Sequence, residues 1–256
     1  MVADPTAHVE LTHAAAFFAA HPGARSVVVI GLDEVGRGAL AGPVMVGAFA
    51  LTVRREADRA ALVHDAPAGV RDSKLVSAGR REKLYAAMRE RGTLAHVGRA
   101  SAAEIDDVGI SAVLTLAAVR ALRGVREDIA RQAASSGEGA GSGPELAAII
   151  LDGNLDYLTR GLGAAEASCP IDVRIKADRD CVSVAAASIV AKVERDRHMV
   201  ALDASAPAYG WARNKGYGSA AHREALTTHG LHPEHRASWR LLPEPSEPSM
   251  EHLWGR

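Results

Sequence analysis

The pattern of apolar runs and helical segments predicts an α/β fold, a mixed five-stranded sheet flanked by helices with a helical C-terminal portion. Two leading apolar runs, Ser26 to Asp33 and Pro43 to Leu51, leave no room for a helix between them, so they pair antiparallel. Later runs are separated by helical stretches, which suits parallel additions to the same sheet. From Val182 onward the chain reads as helix, loop and helix, with no further strand.

Each element has its own warrant. Residues 1–24 form an N-terminal arm, in which Ala-rich Val9 to Ala20 is either a helix or a loosely attached segment. Ser26-Val27-Val28-Val29-Ile30 is continuous and β-branched, the mark of a buried strand extending over 26–33. After a glycine-rich turn, 43–51 is the second strand; the charged stretch Arg54 to Gly69 is a loop insertion or a short helix. Ser77 is placed to cap a helix running to Arg91, and Thr93 to Ala100 is the third strand. Ser101-Ala102-Ala103-Glu104 has capping-box spacing and opens a short helix ending near Gly109. Helical periodicity follows from Ile110 to Ile129. Ala133 to Pro144 is low in complexity and reads as a flexible insertion within the domain, a linker being the alternative. Leu146 to Asp152 and Asp172 to Lys176 are the remaining strands, and Val182 to Leu202 a helix whose start is small and apolar on every side. The domain thus spans 25–240, and 241–256 is a Pro/Glu-rich tail.

At 256 residues, 48% hydrophobic and 24% charged, the chain is an ordinary globular protein with ample core. Its net charge of −1 argues against an avid non-specific nucleic-acid binder, though not against a local basic surface. Cys169 and Cys181 cannot make a disulfide framework and lack metal-ligand spacing. No basic segment followed by a long apolar core opens the chain, and no run nears the roughly 18 apolar residues of a membrane span. A cytoplasmic, monomeric protein without membrane attachment is expected.

Three strand ends carry acids: Asp33 with Glu34, Asp152, and the pair Asp178 and Asp180. One strand-end aspartate is usually a cap. Three, one of them a doublet, suggest convergence at one sheet edge. Clustered carboxylates raise each other's pKa unless a divalent cation neutralises them, and an all-oxygen set favours Mg²⁺ or Mn²⁺ over zinc. Gly36-Arg37-Gly38 follows the doublet and offers backbone N–H groups and a guanidinium to phosphate or sugar. It is no dinucleotide fingerprint, since the spacing is broken and two acids would repel pyrophosphate.

The segment Asp33-Glu34-Val35-Gly36-Arg37-Gly38-Ala39-Leu40-Ala41-Gly42-Pro43-Val44 resembles the opening motif of the type 2 ribonucleases H, bacterial ribonuclease HII. So do Asp72-Ser73-Lys74, Leu151-Asp152-Gly153-Asn154, Lys176-Ala177-Asp178, and Ala185 to Lys192. Gly210 to Gly218 and His235-Arg236-Ala237-Ser238-Trp239 are similar to the later motifs, all in family order over residues 26–240. The resemblance implies a ribonuclease H-like fold and an endonuclease cutting RNA in RNA–DNA hybrids and single ribonucleotides embedded in duplex DNA. It implies two divalent ions, Mg²⁺ or Mn²⁺, on Asp33, Glu34, Asp152 and Asp178. Spacing alone leaves Asp178 and Asp180 open; the family acid lies ten residues before the serine of Ala-Ala-Ser-Ile, which selects Asp178. The resemblance further implies that Gly36, Arg37 and Gly38 read the ribose 2′-OH and that Tyr217 packs on the following deoxyribose. Ser219 and Trp239 depart from the threonine and phenylalanine more usual there.

Lys74, Ser188, Lys192 and Lys215 are expected at the substrate, the lysines on phosphates. His222, His235 and Arg236 are ambiguous, with core hydrogen bonding favoured for His235. The sister enzyme ribonuclease HIII, which shares the acids but not the Gly-Arg-Gly turn, and a catalytically silent nucleic-acid-binding module are the competing readings.

Overall fold

The computed structural model describes residues 4–56, 59–64, 66–135, 144–163 and 169–242. Most of the expected 133–144 insertion and of the 241–256 tail lies outside them.

Six strands form one sheet: β1 (Ser26–Val35), β2 (Val44–Glu56), β3 (Arg59–His64), β4 (Ala95–Ala100), β5 (Glu145–Asp152) and β6 (Ile171–Arg174), in the order β3-β2-β1-β5-β6 with β4 also on β2. β1 and β2 are antiparallel, and β5 and β6 join β1 in parallel, as the connection lengths predict. The sixth strand corrects the expected count of five. Arg54 to Gly69 is neither loop insertion nor helix at its start, because β2 runs on to Glu56 and turns back as β3. The outer edge of β2 is shared, β4 pairing with Val44 to Phe49 and β3 with Thr52 to Glu56. Charges in this hairpin hide the period-2 pattern; edge strands carry such charges because they block pairing with another chain.

Eight α-helices are described: α1 (His8–Ala20), α2 (Ala78–Glu90), α3 (Ala102–Val108), α4 (Ile110–Ser135), α5 (Ala177–Asp180), α6 (Val182–Ser205), α7 (Trp211–Asn214) and α8 (Ala220–His229). The capping box at Ser101 is formed: its Oγ accepts from the Glu104 N–H at 3.2 Å, and its N–H donates to Glu104 Oε2 at 2.8 Å. Gly109, at φ 82°, ends that helix.

Side-chain alternation sorts β1 between two layers. Val28, Ile30 and Leu32 pack with Val113, Leu114, Ala117 and Ala121 of α4. Val27 and Val29 face the other way, against Val184 of α6 and Ala14 and Phe18 of α1. The N-terminal segment is therefore a docked helix. α6 sits very close to the sheet: a Cβ on Gly31 would lie 2.4 Å from the Val184 backbone nitrogen, and one on Gly47 would lie 2.4 Å from the Ala187 carbonyl oxygen. This close approach accounts for the small, apolar start of α6.

Candidate active site

Parallel pairing brings the acids together. Leu32 is in register with Leu151, so Asp33 and Asp152 leave adjacent strands side by side. Asp33 continues the face of Val27, Val29 and Gly31, toward α6; Glu34 takes the opposite parity. The third acid lies past the end of its strand, which stops at Arg174, on a short helix. Lys176 adopts a left-handed conformation, φ 64°, and swings the chain from β6 into the short α5. Asp152 Oδ1 accepts the Ala177 N–H at 2.7 Å and the Asp178 N–H is close enough to lower the same carboxyl, so one acid caps the turn that carries the next. Asp180, which spacing alone left open, is the last residue of α5.

All four carboxyls are pushed upward. Burial is the main cause at Asp33, held well above its usual range against the lowering effect of the Ser188 hydroxyl, with Asp152, Glu34 and Asp178 adding repulsion. Glu34 and Asp152 are raised for the same first reason. Asp178 rises to about 6 through burial, Asp152 and Asp72. The structure thus adds a carboxyl not assigned from the sequence. Asp72 is buried, accepts the Lys74 N–H at 2.9 Å and hydrogen-bonds Asp178.

This donor set fits a hydrated divalent cation. Its ligands are all oxygen, and their charges are held at a cost that a cation would remove. Among the described residues the buried Tyr157 hydroxyl has no hydrogen-bond partner, and it lies in the field of Glu34, Asp33 and Asp152, a spare donor beside an acid cluster. Among the described residues no three such groups close around an ion by themselves. That suits Mg²⁺ chemistry, where waters and substrate phosphates complete the shell.

The glycine turn lies beside the acids. Arg37 is half exposed, its Nη1 3.8 Å from Glu34 Oε1. Among the described residues the N–H groups of Gly36, Arg37 and Gly38 have no hydrogen-bond partner, whereas those of Ala39 to Gly42 are all used. Gly36 has φ 83°, and a Cβ there would strike the Arg195 Nε at 2.1 Å; around Gly38 the space is open. The turn is held from beneath. Arg236 donates to the carbonyls of Gly36 (2.6 Å), Arg37 (2.8 Å) and Gly42 (3.1 Å). Arg195 donates to Ala41 (3.2 Å), Pro43 (2.9 Å) and Lys215 (2.9 Å). Sequence reasoning left Arg236 ambiguous and missed Arg195. The signal for the latter was its place on the buried stripe Val184, Ser188, Ala191, Arg195 and Met199 of α6.

Other expected residues scatter. Lys74 is close enough to lower Glu34, Asp152 and Asp178. Tyr217 is 39% exposed, with the Arg195 guanidinium 5.3 Å from its ring centroid. Ser188 is buried, between Asp33 and the Ser73 hydroxyl at 2.9 Å, so it supports an acid rather than facing solvent. Lys192 pairs with Asp196 at 2.6 Å, and the Lys215 ammonium turns back onto the Ala212 carbonyl. His235 is a core hydrogen-bonding residue: its Nε2 is 3.0 Å from His222 Nε2. Both cysteines are free thiols, and no helix among the described residues is long and apolar enough to cross a membrane.

The ribonuclease HII family model matches residues 30–242. The ribonuclease HII of Streptomyces avermitilis is 41% identical over 230 residues, 88% of this chain and 82% of that one. Among solved structures, the ribonuclease HII in the PCNA complex from Archaeoglobus fulgidus has a TM-score of 0.58 at 26% identity, over 86% of this chain and 98% of that one. Bst-RNase HIII in complex with Mn²⁺ has a TM-score of 0.56 at 25% identity, over 82% of this chain and 65% of that one. With a match that runs from the acid-bearing first strand to the last described residue, this chain belongs to the ribonuclease HII family of ribonuclease H endonucleases.

Proposed function

We propose that the chain cuts the RNA strand of RNA–DNA hybrids and cleaves on the 5′ side of single ribonucleotides embedded in duplex DNA, leaving 5′-phosphate and 3′-hydroxyl ends. Such a reaction serves the removal of ribonucleotides from DNA. One observation carries this reading: four converging carboxylates stand beside a turn that presents three unused N–H donors.

Asp33, Glu34, Asp152 and Asp178 would hold two divalent ions, Mg²⁺ or Mn²⁺, Asp33 and Asp152 on the attacking-water side and Asp33, Glu34 and Asp178 on the leaving-group side. When bound, such ions lower the pKa of the water and stabilise the leaving 3′-oxygen. The protein's own residues do the selecting. The Gly36, Arg37 and Gly38 N–H groups donate to the ribose 2′-OH, the group that separates RNA from DNA at one site. Exposed Tyr217 packs on the next deoxyribose. Lys74, next to the acids, meets the phosphate. Ser188 fixes the Asp33 carboxylate through a hydrogen bond, and Asp152 fixes α5 and hence Asp178.

The test is a DNA duplex carrying one ribonucleotide, incubated with Mg²⁺, with Mn²⁺ or with EDTA. Cleavage is expected with either ion and none in EDTA, and Asp33→Ala is expected to abolish it. Substantial turnover by that variant, or equal cleavage of an all-DNA duplex, would overturn the reading.

A further inference from the structure

We infer that Arg195 and Arg236 are positioning residues that set how sharply the protein distinguishes a ribose–deoxyribose junction. The inference rests on the function proposed above and adds to it the residues that hold the two sugar-reading parts in register.

Both side chains are fully buried, and among the described residues neither forms an ion pair. A buried cation needs compensation, and carbonyl dipoles supply it here. Arg236 takes the carbonyls of Gly36, Arg37 and Gly42. In a peptide the carbonyl and the N–H of the next residue point in opposite directions. Drawing the Gly36 and Arg37 carbonyls inward therefore turns the Arg37 and Gly38 N–H groups outward. The donors that face substrate are aimed by the guanidinium beneath them. A ring contact with Trp239, centroid 4.7 Å from Arg236 Cζ, fixes that guanidinium in turn.

Arg195 makes a different connection. Nε and Nη2 hold Pro43 and Ala41 at the far end of the turn, while Nη1 holds the Lys215 carbonyl and the guanidinium lies over the Tyr217 ring. One planar group thus spans the turn that reads ribose and the tyrosine that meets the next sugar. The backbone adds a second tie, because the Leu40 and Ala41 N–H groups both donate to Gly216 O, at 2.8 and 3.2 Å. The close Gly36–Arg195 approach leaves no slack between the parts. Burial lowers both, Arg236 to about 9 with the Arg195 charge adding repulsion, and the carbonyl dipoles around them offset that cost. Lysine keeps that charge but cannot fork across two or three carbonyls.

R195K and R236K are the variants. For each, kcat and KM are measured on a duplex with a single ribonucleotide and on a uniform RNA–DNA hybrid, with Mn²⁺ affinity followed by calorimetry. The uniform hybrid offers ribose on both sides, so it depends less on the register between turn and tyrosine. Expected is a fall of about tenfold or more in the single-ribonucleotide to hybrid ratio of kcat/KM, carried mainly by kcat, with ion affinity unchanged. An equal fall on both substrates at an unchanged ratio would overturn the proposal. So would unfolding of both lysine variants, since the guanidiniums would then be supporting the fold as a whole. Failure of the parent protein to cut either substrate would instead remove the functional reading on which the proposal rests.

Discussion

Asp178 shows what the site costs when no cation is bound. Its carboxyl holds a proton to about 6, against 3.8 for an ordinary aspartate. Between those values the folded state binds more protons than the unfolded one, so ion-free stability falls as pH rises from about 4 to about 6. Asp178→Asn should therefore stabilise the ion-free protein at pH 7 by on the order of 2 kcal/mol once solvent screening is allowed for, seen as a higher melting temperature in EDTA. No gain is expected at pH 4, and Mg²⁺ should stabilise the parent more than the variant. Equal gains at both pH values would show that charge repulsion is not the cause. At this scale the sequence was most legible in acids and least in arginines. Asp33, Glu34 and Asp152 end apolar runs, and that contrast is visible in one dimension. Arg195 and Arg236 look like surface residues until carbonyls from residues 36–43 are seen folded over them. Tyr157 and Asp72 were missed for the same reason: their neighbours are distant in sequence.

At the scale of elements, the seat of α6 on the sheet decides the geometry of the acids. Gly31 and Gly47 allow the helix backbone to come into contact with β1 and β2, and Ser188 on that helix then reaches Asp33. A methyl at Gly31 would meet backbone on the helix rather than a movable side chain. Gly31→Ala should destabilise by about 3 kcal/mol, read from the urea midpoint, and reduce cleavage with little change in substrate KM. Strand and helix positions followed from periodicity, and the Ser101 cap from its spacing. The β2–β3 hairpin did not, because Arg54, Arg55 and Glu56 lie beyond the core and carry no alternation to read. Lys176 marks a different limit. Nothing in Ile175-Lys176-Ala177 announces a left-handed turn, yet it takes Asp178 off the strand.

The whole molecule is two layers of helices on a sheet, with a C-terminal cluster built around imidazoles. Trp211 Nε1 donates to His222 Nε2 at 3.2 Å, and the His222 Nδ1 proton goes to the Tyr217 carbonyl at 2.9 Å. His235 Nε2 must then donate to His222, while its Nδ1 accepts the His232 N–H at 2.9 Å. Each ring is neutral in this arrangement; a second proton on His222 would face two N–H donors, and one on His235 Nδ1 would find only the His232 carbonyl, at 3.2 Å. Burial lowers both, His235 to about 4. Since the unfolded rings titrate near 6.5, their contribution to stability is intact above that value and is lost as pH falls toward 4. With Mg²⁺ saturating the acids, acidification from pH 7 to 5 should cost about 2 kcal/mol and His235→Gln should flatten that dependence. Tryptophan fluorescence in urea titrations reads both. An unchanged slope in the variant would place the acid sensitivity elsewhere.

Glu10 ties the first helix to the start of α6. Its carboxylate is buried and accepts both the N–H and the hydroxyl of Ser183, at 2.8 and 2.7 Å, from 173 residues away. Thr6 adds backbone bonds to Asp180 and Val182, so the chain's first helix closes over the junction of α5 and α6. In folding terms this is a contact of very long loop, and its closure entropy falls due only after the sheet has formed. Glu10→Ala should cost about 2 kcal/mol, appearing as faster unfolding with an almost unchanged folding rate in a chevron plot. On that expectation the clustered acids assemble without waiting for α1, and α1 sets how long they stay assembled.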